Sequence, residues 1–208
     1  MSKQPLFIDE LAKNPDLLNQ MKGQVAQKIS EIIDIMRLKE VVPEAHIEET
    51  PERVAKMYID ELFHGCYTNP PDMKIFKDDY TTPVLSTNIQ IKSTCSHHGV
   101  PFYGRASIYY VPNEITGLSK FYRVSDYFSR RPQIQERLNR QICDYIWDKL
   151  KPHLVIVAIK CKHMCICQRG VNADNPYTTT YYVRSEPEYA PDNQLIWKIV
   201  DTIDEGMI

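Results

Sequence analysis

"STCSHHGVPFYG", Ser93–Gly104, is the stretch from which this chain is best read. It sets Cys95, His97 and His98 within four positions and follows them with Gly-Val-Pro, a turn sequence. On its N-terminal side, Val84, Ile89 and Ile91 suggest a strand running into Cys95. On its C-terminal side, Ala106, Ile108 and Tyr110 alternate up to the turn at Pro112-Asn113. The simplest reading is a β-hairpin that carries a thiol and two imidazoles in its connection.

Upstream, apolar residues at Met21, Val25, Ile29, Ile32, Ile33 and Met36 recur every three or four positions and predict an amphipathic helix over 21–38. A second helix is expected in "TPERVAKMYIDELF", with Thr50 as N-cap and Pro51 at the first helical position, where its missing N–H costs nothing. Downstream, helical character returns from Val124. Pro132 is expected to open a long helix with Ile134, Leu138, Ile142, Ile146 and Leu150 on one side. "LVIVAIKCKHMCICQRG" reads as a buried strand with a polar far end, and "TTTYYVR" as another strand. Leu195, Ile196, Ile199 and Val200 mark a closing helix. Helices followed by strand pairs and flanking helices make the chain α+β. The expected division is a helical region over 1–75, a catalytic core over 76–188 and a C-terminal helix over 189–208.

The totals exclude several classes. With 208 residues, 43% hydrophobic content and a net charge of -2, the chain fits a soluble protein of one domain by default or of two small ones, with no general nucleic-acid surface but room for a local basic pocket. No apolar run is long enough to span a membrane, and the charged start lacks the core of a secretory signal. Six cysteines without such a signal point to a reducing, cytoplasmic setting where metal binding or catalysis outranks disulfides.

A second cluster, Cys161-Lys-His163-Met-Cys165-Ile-Cys167, has all its donors at odd positions, on one face of an extended chain. Cys161 and Cys167 would then lie roughly 20 Å apart and could not share an ion. At most two neighbours, such as His163 and Cys165, could serve one site. Cys95 and His98, spaced C-x-x-H, together with one residue of this cluster would give three ligands to zinc and leave a fourth position open, as catalytic zinc requires. A closed structural site with a fourth cysteine and a redox C-x-C remain alternatives. Cys161 and Cys167 read as small core residues, Cys66 and Cys143 as packing residues, and His46, His64 and His153 as solvated or packing histidines. Arg130, Arg131 and Arg137 read as solvated helix residues.

Five motifs, "ETPERVAKMYIDELF", "STCSHHGVPFYG", "GLSKFYR", "RRPQIQERL" and "HMCICQRGV", stand in the order found in GTP cyclohydrolase I, and the sequence resembles that family over roughly 49–180. The resemblance implies a zinc enzyme that hydrolyses GTP to 7,8-dihydroneopterin triphosphate and formate. It implies the tunnelling fold (T-fold), an antiparallel sheet with helices on one face. Oligomerisation closes that sheet into a barrel, usually as a homodecamer of two pentamers. Carried over residue by residue, it makes Cys95, His98 and Cys165 the metal ligands and His97 and His163 the acid/base histidines. Glu136 matches the reader of the guanine edge, and Gln135 lines the same pocket. Ser119, Lys120, Arg123 and Arg169 match ribose and triphosphate contacts, and Arg53 a triphosphate contact from a neighbouring subunit.

These residue types suit that chemistry. Opening a purine at C8 calls for a nucleophile, and zinc brings bound water to a pKa near 7. Histidines titrate near neutrality and can move protons as the ring opens and recloses. A carboxylate accepting guanine N–H bonds discriminates against adenine, and lysine and arginines answer a triphosphate. Two positions depart from the resembled pattern: Ser96 and Lys160 stand where the family usually carries acidic residues. If both side chains approach the pocket, the local potential rises, with a shifted pH optimum or a preference for dGTP as the consequence. The other readings are an enzyme feeding 7-deazaguanine synthesis and a silent, zinc-stabilised nucleotide-binding assembly. The presence of Cys95, His97, His98, His163 and Cys165 disfavours the silent assembly.

Overall fold

The structure is a computed structural model, and it describes residues 7–14, 16–76 and 81–203. The chain divides into a helical unit, Gln4–Asn69, and an α+β unit, Pro70–Ile208. The expected segments over 1–6 and 204–208 lie outside the described residues.

The helical unit contains α1 (Phe7–Lys13), α2 (Leu17–Ile35), α3 (Glu44–Ile47) and α4 (Thr50–Lys56), the last running on into a π-helical turn at Met57–Leu62. Ala26 and Ile33 of α2, and Ala55 and Ile59 of α4 and its continuation, are buried, and Lys22 meets Asp60 at 3.2 Å. The expected helix over 21–38 thus starts earlier and stops at Ile35, with Arg37 in the left-handed region. Thr50 is the first helical residue rather than the cap. Glu49 precedes it without a side-chain capping bond, and Pro51 still falls in the first turn.

The α+β unit contains β1 (Ile75–Phe76), β2 (Val84–Cys95), β3 (Pro101–Val111), β4 (Ile115–Thr116), α5 (Ser119–Ser129), β5 (Pro132–Gln133), α6 (Gln135–Leu150), β6 (Leu154–His163), α7 (Met164–Cys167), β7 (Thr178–Ser185) and α8 (Asn193–Asp201). The main sheet has the order β5-β2-β3-β6-β7, antiparallel except for the parallel β5–β2 pair. β2 and β3 form the expected hairpin, with Cys95 at its end. Helix α5 begins at Ser119, five residues before the expected start. Pro132 does not open a helix. It pairs with Thr94 while Gln133 pairs with Cys95, and Ile134 stays extended, so α6 starts only at Gln135.

Helices cover both faces of the sheet, not one. On one face, Phe121, Val124 and Phe128 of α5 and Leu138, Ile142, Ile146 and Leu150 of α6 pack with Ile108, Val155, Val157, Ile159 and Cys161. On the other, Ile196, Ile199 and Val200 of α8 pack with Leu154, Ile156 and Ala158. Strand alternation explains the division: odd residues of β6 face α6 and even ones face α8. Because β6 is covered twice, it reads as a continuous apolar run.

Polar side chains fix the register of α6 on β6. Gln135 Nε2 donates to the Ile159 carbonyl at 3.0 Å, Asn139 Nδ2 to Val157 at 3.5 Å and the Cys143 thiol to Val155 at 3.9 Å. Four helical residues advance about 6 Å and two strand residues about 6.6 Å, so the two spacings nearly match. This ladder places the start of α6 at the end of β6, where the candidate site lies.

Candidate active site

The hairpin connection brings the first donors together. Cys95 is the last residue of β2, and Gly99, at φ +69, donates its N–H to the Cys95 carbonyl at 2.9 Å and closes a tight turn over Ser96, His97 and His98. β6 ends at His163, and the chain immediately turns into α7. That turn corrects the expectation of one extended face over Cys161–Cys167. Cys161 stays buried in the sheet, His163 closes the strand and Cys165 swings towards the hairpin.

One donor atom from each of Cys95, His98 and Cys165 lies within 4.8 Å of the others. Zn–S bonds of about 2.3 Å in a tetrahedron put two sulfurs roughly 3.8 Å apart, so this cluster is of a size to hold one ion. Two thiols and an imidazole form a donor set suited to zinc. Cys165 hydrogen-bonds Cys95, and burial, followed by the neighbouring Cys95, pushes its thiol above the ordinary cysteine value. Cys167 is half-buried and outside the cluster, so the core role expected for it is not what the fold gives it.

His97 Nδ1 lies 3.9 Å from the Cys95 sulfur. His163 stacks on Phe102 at 4.7 Å with 10° between the ring planes, and its Nε2 lies 2.8 Å from Gln135 Oε1. Burial holds the His163 pKa below the ordinary histidine value, while the nearby Glu136 carboxylate opposes that shift. Glu136 itself is exposed in the first turn of α6, where the helix dipole favours a carboxylate. Gln135 is only 2% exposed, and its amide is committed within the protein rather than turned towards an open base pocket. Arg169 donates to His98 Nε2 at 3.1 Å.

The expected contacts on α5 do not gather here within one chain. Ser119 and Arg123 are exposed and Lys120 is half-buried, all in the first turns of α5. That helix lies alongside β2, with Tyr122 bonding the Thr87 carbonyl and Ser93 bonding the Ser129 carbonyl. Thr87 and Cys95, eight residues apart on β2, are separated by roughly 25 Å. The start of α5 is therefore at the far end of the strand from Cys95. Arg53 belongs to the helical unit and pairs with Glu49.

Lys160 lies on the face of β6 opposite Cys161 and His163. It stands across from Arg105 and Thr179, with its ammonium 5.7 Å from the Tyr177 ring centre. The case for a cation entering the pocket at this position therefore loses its geometry. Ser96 is exposed in the hairpin turn. Arg130, expected to be solvated, pairs with Asp126, and Arg131 stacks over Tyr127 and Phe128. Arg137 bonds Gln133 and Pro132. His153, also read as a bland residue, pairs with Glu186 at 2.6 Å and stacks on Tyr189. Sequence reasoning missed the inward role of Gln135, for which the only available signal was a polar residue at the head of an apolar helical stripe.

Fold and donor set define an α+β chain with a thiol–imidazole cluster of the kind catalytic zinc sites use. Residues 25–199 match the profile of GTP cyclohydrolase I, and the chain belongs to that family. It is 44% identical over 143 residues to the GTP cyclohydrolase 1 of Corynebacterium aurimucosum, covering 66% of this chain and 72% of that protein. It is also 44% identical over 140 residues to that of Bacillus cytotoxicus, covering 65% and 74%. A solved structure of the archaeosine synthase QueF-Like in the apo form overlaps 52% of this chain and 98% of that one, at 14% identity and TM-score 0.43.

Proposed function

We propose that this protein is a zinc-dependent hydrolase that converts GTP and water into 7,8-dihydroneopterin triphosphate, with C8 of the purine leaving as formate. The observation that carries the reading is the convergence of Cys95, His98 and Cys165 within 4.8 Å, with His97 beside Cys95 and His163 two positions before Cys165 in the chain. Family membership supports the reaction class.

In this reading Cys95, His98 and Cys165 hold the metal. When bound, zinc supplies Lewis acidity and brings coordinated water to a pKa near neutrality. His97, beside Cys95, and His163, held on Phe102, move protons to and from the purine nitrogens and the sugar oxygen as rings open and reclose. Glu136 accepts N–H bonds from the guanine edge, and a base lacking them would strand the carboxylate without partners. Arg169 faces the triphosphate from the same chain.

The separation of the α5 start from Cys95 supports an oligomeric site, with Ser119, Lys120 and Arg123 of a neighbouring copy answering the ribose and triphosphate. Arg53 would come from a neighbour as well. Both edges of the main sheet support this assembly, since among the described residues β2 is paired on its outer side only at Thr94–Cys95 and β7 has one strand neighbour. Such edges invite pairing with another copy and so favour the tunnelling-fold barrel. No described helix is long and apolar enough to cross a membrane.

The test is release of formate and dihydroneopterin triphosphate from GTP and dGTP by metal-stripped and zinc-reloaded protein. Turnover restored by zinc supports the proposal. A folded, zinc-loaded protein that releases neither product from either nucleotide overturns it.

A further inference from the structure

The Gln135 amide makes a set of contacts that reading the base does not explain. Its Nε2 lies 3.0 Å from the Ile159 carbonyl, 3.0 Å from the Thr178 carbonyl and 2.9 Å from the Thr180 hydroxyl. Its Oε1 lies 2.8 Å from His163 Nε2. Amide nitrogen and oxygen are assigned by their partners, and here the assignment has one solution. Rotating the amide by half a turn would aim its oxygen at two carbonyl oxygens, which can only accept. The nitrogen therefore faces β6 and β7, and the oxygen faces His163.

An amide oxygen cannot donate, so the hydrogen in the contact at 2.8 Å belongs to the imidazole. We infer that Gln135 is a positioning residue that holds His163 as the Nε2–H tautomer, so that Nδ1 is the atom through which His163 exchanges protons. This rests on the acid/base role proposed for His163 and names the atom that performs it.

The restraint has two further parts. Phe102, buried in β3, stacks on the imidazole with 10° between planes and stops the ring from tilting. Gln135 is itself held on two strands, its two amide hydrogens shared among three acceptors, so it cannot follow the ring if the ring turns. Moving the proton from Nε2 to Nδ1 would put the Nε2 lone pair against the Gln135 oxygen and leave two acceptors facing each other in a partly buried place. The "TTTYYVR" strand thereby acquires a part in the site, since Thr178 and Thr180 fix the amide that fixes the histidine.

The tautomer is testable without substrate. Protein labelled with 15N at its six histidines is compared with the His163→Gln variant to assign the His163 ring nitrogens by NMR, in zinc-loaded oligomer. The expected result is a pyrrole-type Nε2 coupled to a proton and a pyridine-type Nδ1. A protonated Nδ1 with a bare Nε2 overturns the inference, whether or not the protein turns over GTP.

In Gln135→Met the two tautomers should mix, and kcat should fall about 10²-fold with the KM for GTP and the zinc content little changed. A rise in KM with unchanged kcat and an unchanged His163 spectrum would instead make Gln135 a base contact and overturn the positioning role. If Gln135→Met does not fold, the wild-type spectrum still decides. Loss of activity in His163→Gln tests the acid/base role separately, so failure of either idea can be told from failure of the other.

Discussion

Gly104 of β3 stands directly opposite Cys161 of β6, and a Cβ built on Gly104 would come within 2.0 Å of the Lys160 carbonyl oxygen and 2.8 Å of the Cys161 Cα. The obstacle is backbone, which cannot swing aside like a side chain. Gly104→Ala should therefore cost at least about 3 kcal/mol, the upper end of ordinary overpacking. Chemical denaturation checks it. A cost below about 1 kcal/mol would show that the two strands part easily at this point.

That close approach also indicates what could be read in the sequence. The β2–β3 hairpin was legible because a two-residue alternation flanks a Gly-Val-Pro turn. Spacing showed that Cys95 and His98 could be joined by one residue of the Cys161–Cys167 cluster, and the choice of Cys165 came with the family resemblance. Local pattern did not reveal that the chain turns helical after His163, because "HMCICQ" has too few residues to declare a period. Nor could it place Pro132 in a parallel pair with Thr94, since that pairing is decided by residues 38 positions away. The second helical face was hidden for a related reason. The run Leu154–Ile159 is apolar at every position, which indicates double burial without naming the partner.

Metal content separates Cys165 from Cys167. Cys165→Ser and Cys95→Ser should each lower bound zinc well below one equivalent per chain and abolish turnover, because serine is a poor ligand for a thiophilic ion. Cys167→Ser, outside the donor cluster, should retain wild-type zinc. Elemental analysis after gel filtration measures this. A Cys167 variant that loses its metal would require a different donor set.

Sites shared between copies can be tested by mixing. Cys95→Ser and Lys120→Ala should each be inactive or severely impaired as pure oligomers. After joint refolding, a random assembly should recover about a quarter of its sites, those pairing an intact Cys95 from one chain with an intact Lys120 from the next. No recovery in verified mixed oligomers would mean that both residues must come from one chain, against the 25 Å estimate along β2.

Alkaline stability should reflect two interior thiols. Burial pushes Cys143 from about 9 up to about 12 and raises Cys161 in the same direction. The folded thiols keep their protons at pH values where the unfolded ones lose them. Their stabilisation is thus fully present below about pH 8.5 and declines as pH rises from there towards 12. Thermal melts between pH 8 and 11 should fall less steeply for Cys143→Ala than for wild type once each is normalised to its value at pH 7. In native protein neither thiol should react with a disulfide reagent at pH 8, whereas the more exposed Cys66 should. Rapid modification of Cys143 or Cys161 would show that this part of the core opens.

A metal held by His98 would compete with Arg169 for that imidazole. The guanidinium donates to Nε2 at 3.1 Å, which requires a lone pair there. An imidazole that gives one nitrogen to a metal carries its proton on the other, so Nε2 is either ligated or protonated once an ion is bound. In both cases it could no longer accept from Arg169, and metal loading would free the guanidinium. If that cation then meets the triphosphate, zinc and nucleotide bind with positive coupling, and linkage makes the effect reciprocal. A charge-assisted bond is worth about 1.5–3 kcal/mol, so a guanosine triphosphate analogue blocked at C8 should bind at least about tenfold more tightly to zinc-loaded than to stripped protein. In Arg169→Met that ratio should shrink towards the contribution the metal makes on its own. Calorimetry on the four combinations gives the coupling directly. An equal zinc effect in wild type and Arg169→Met would show that the released guanidinium does not reach the phosphates.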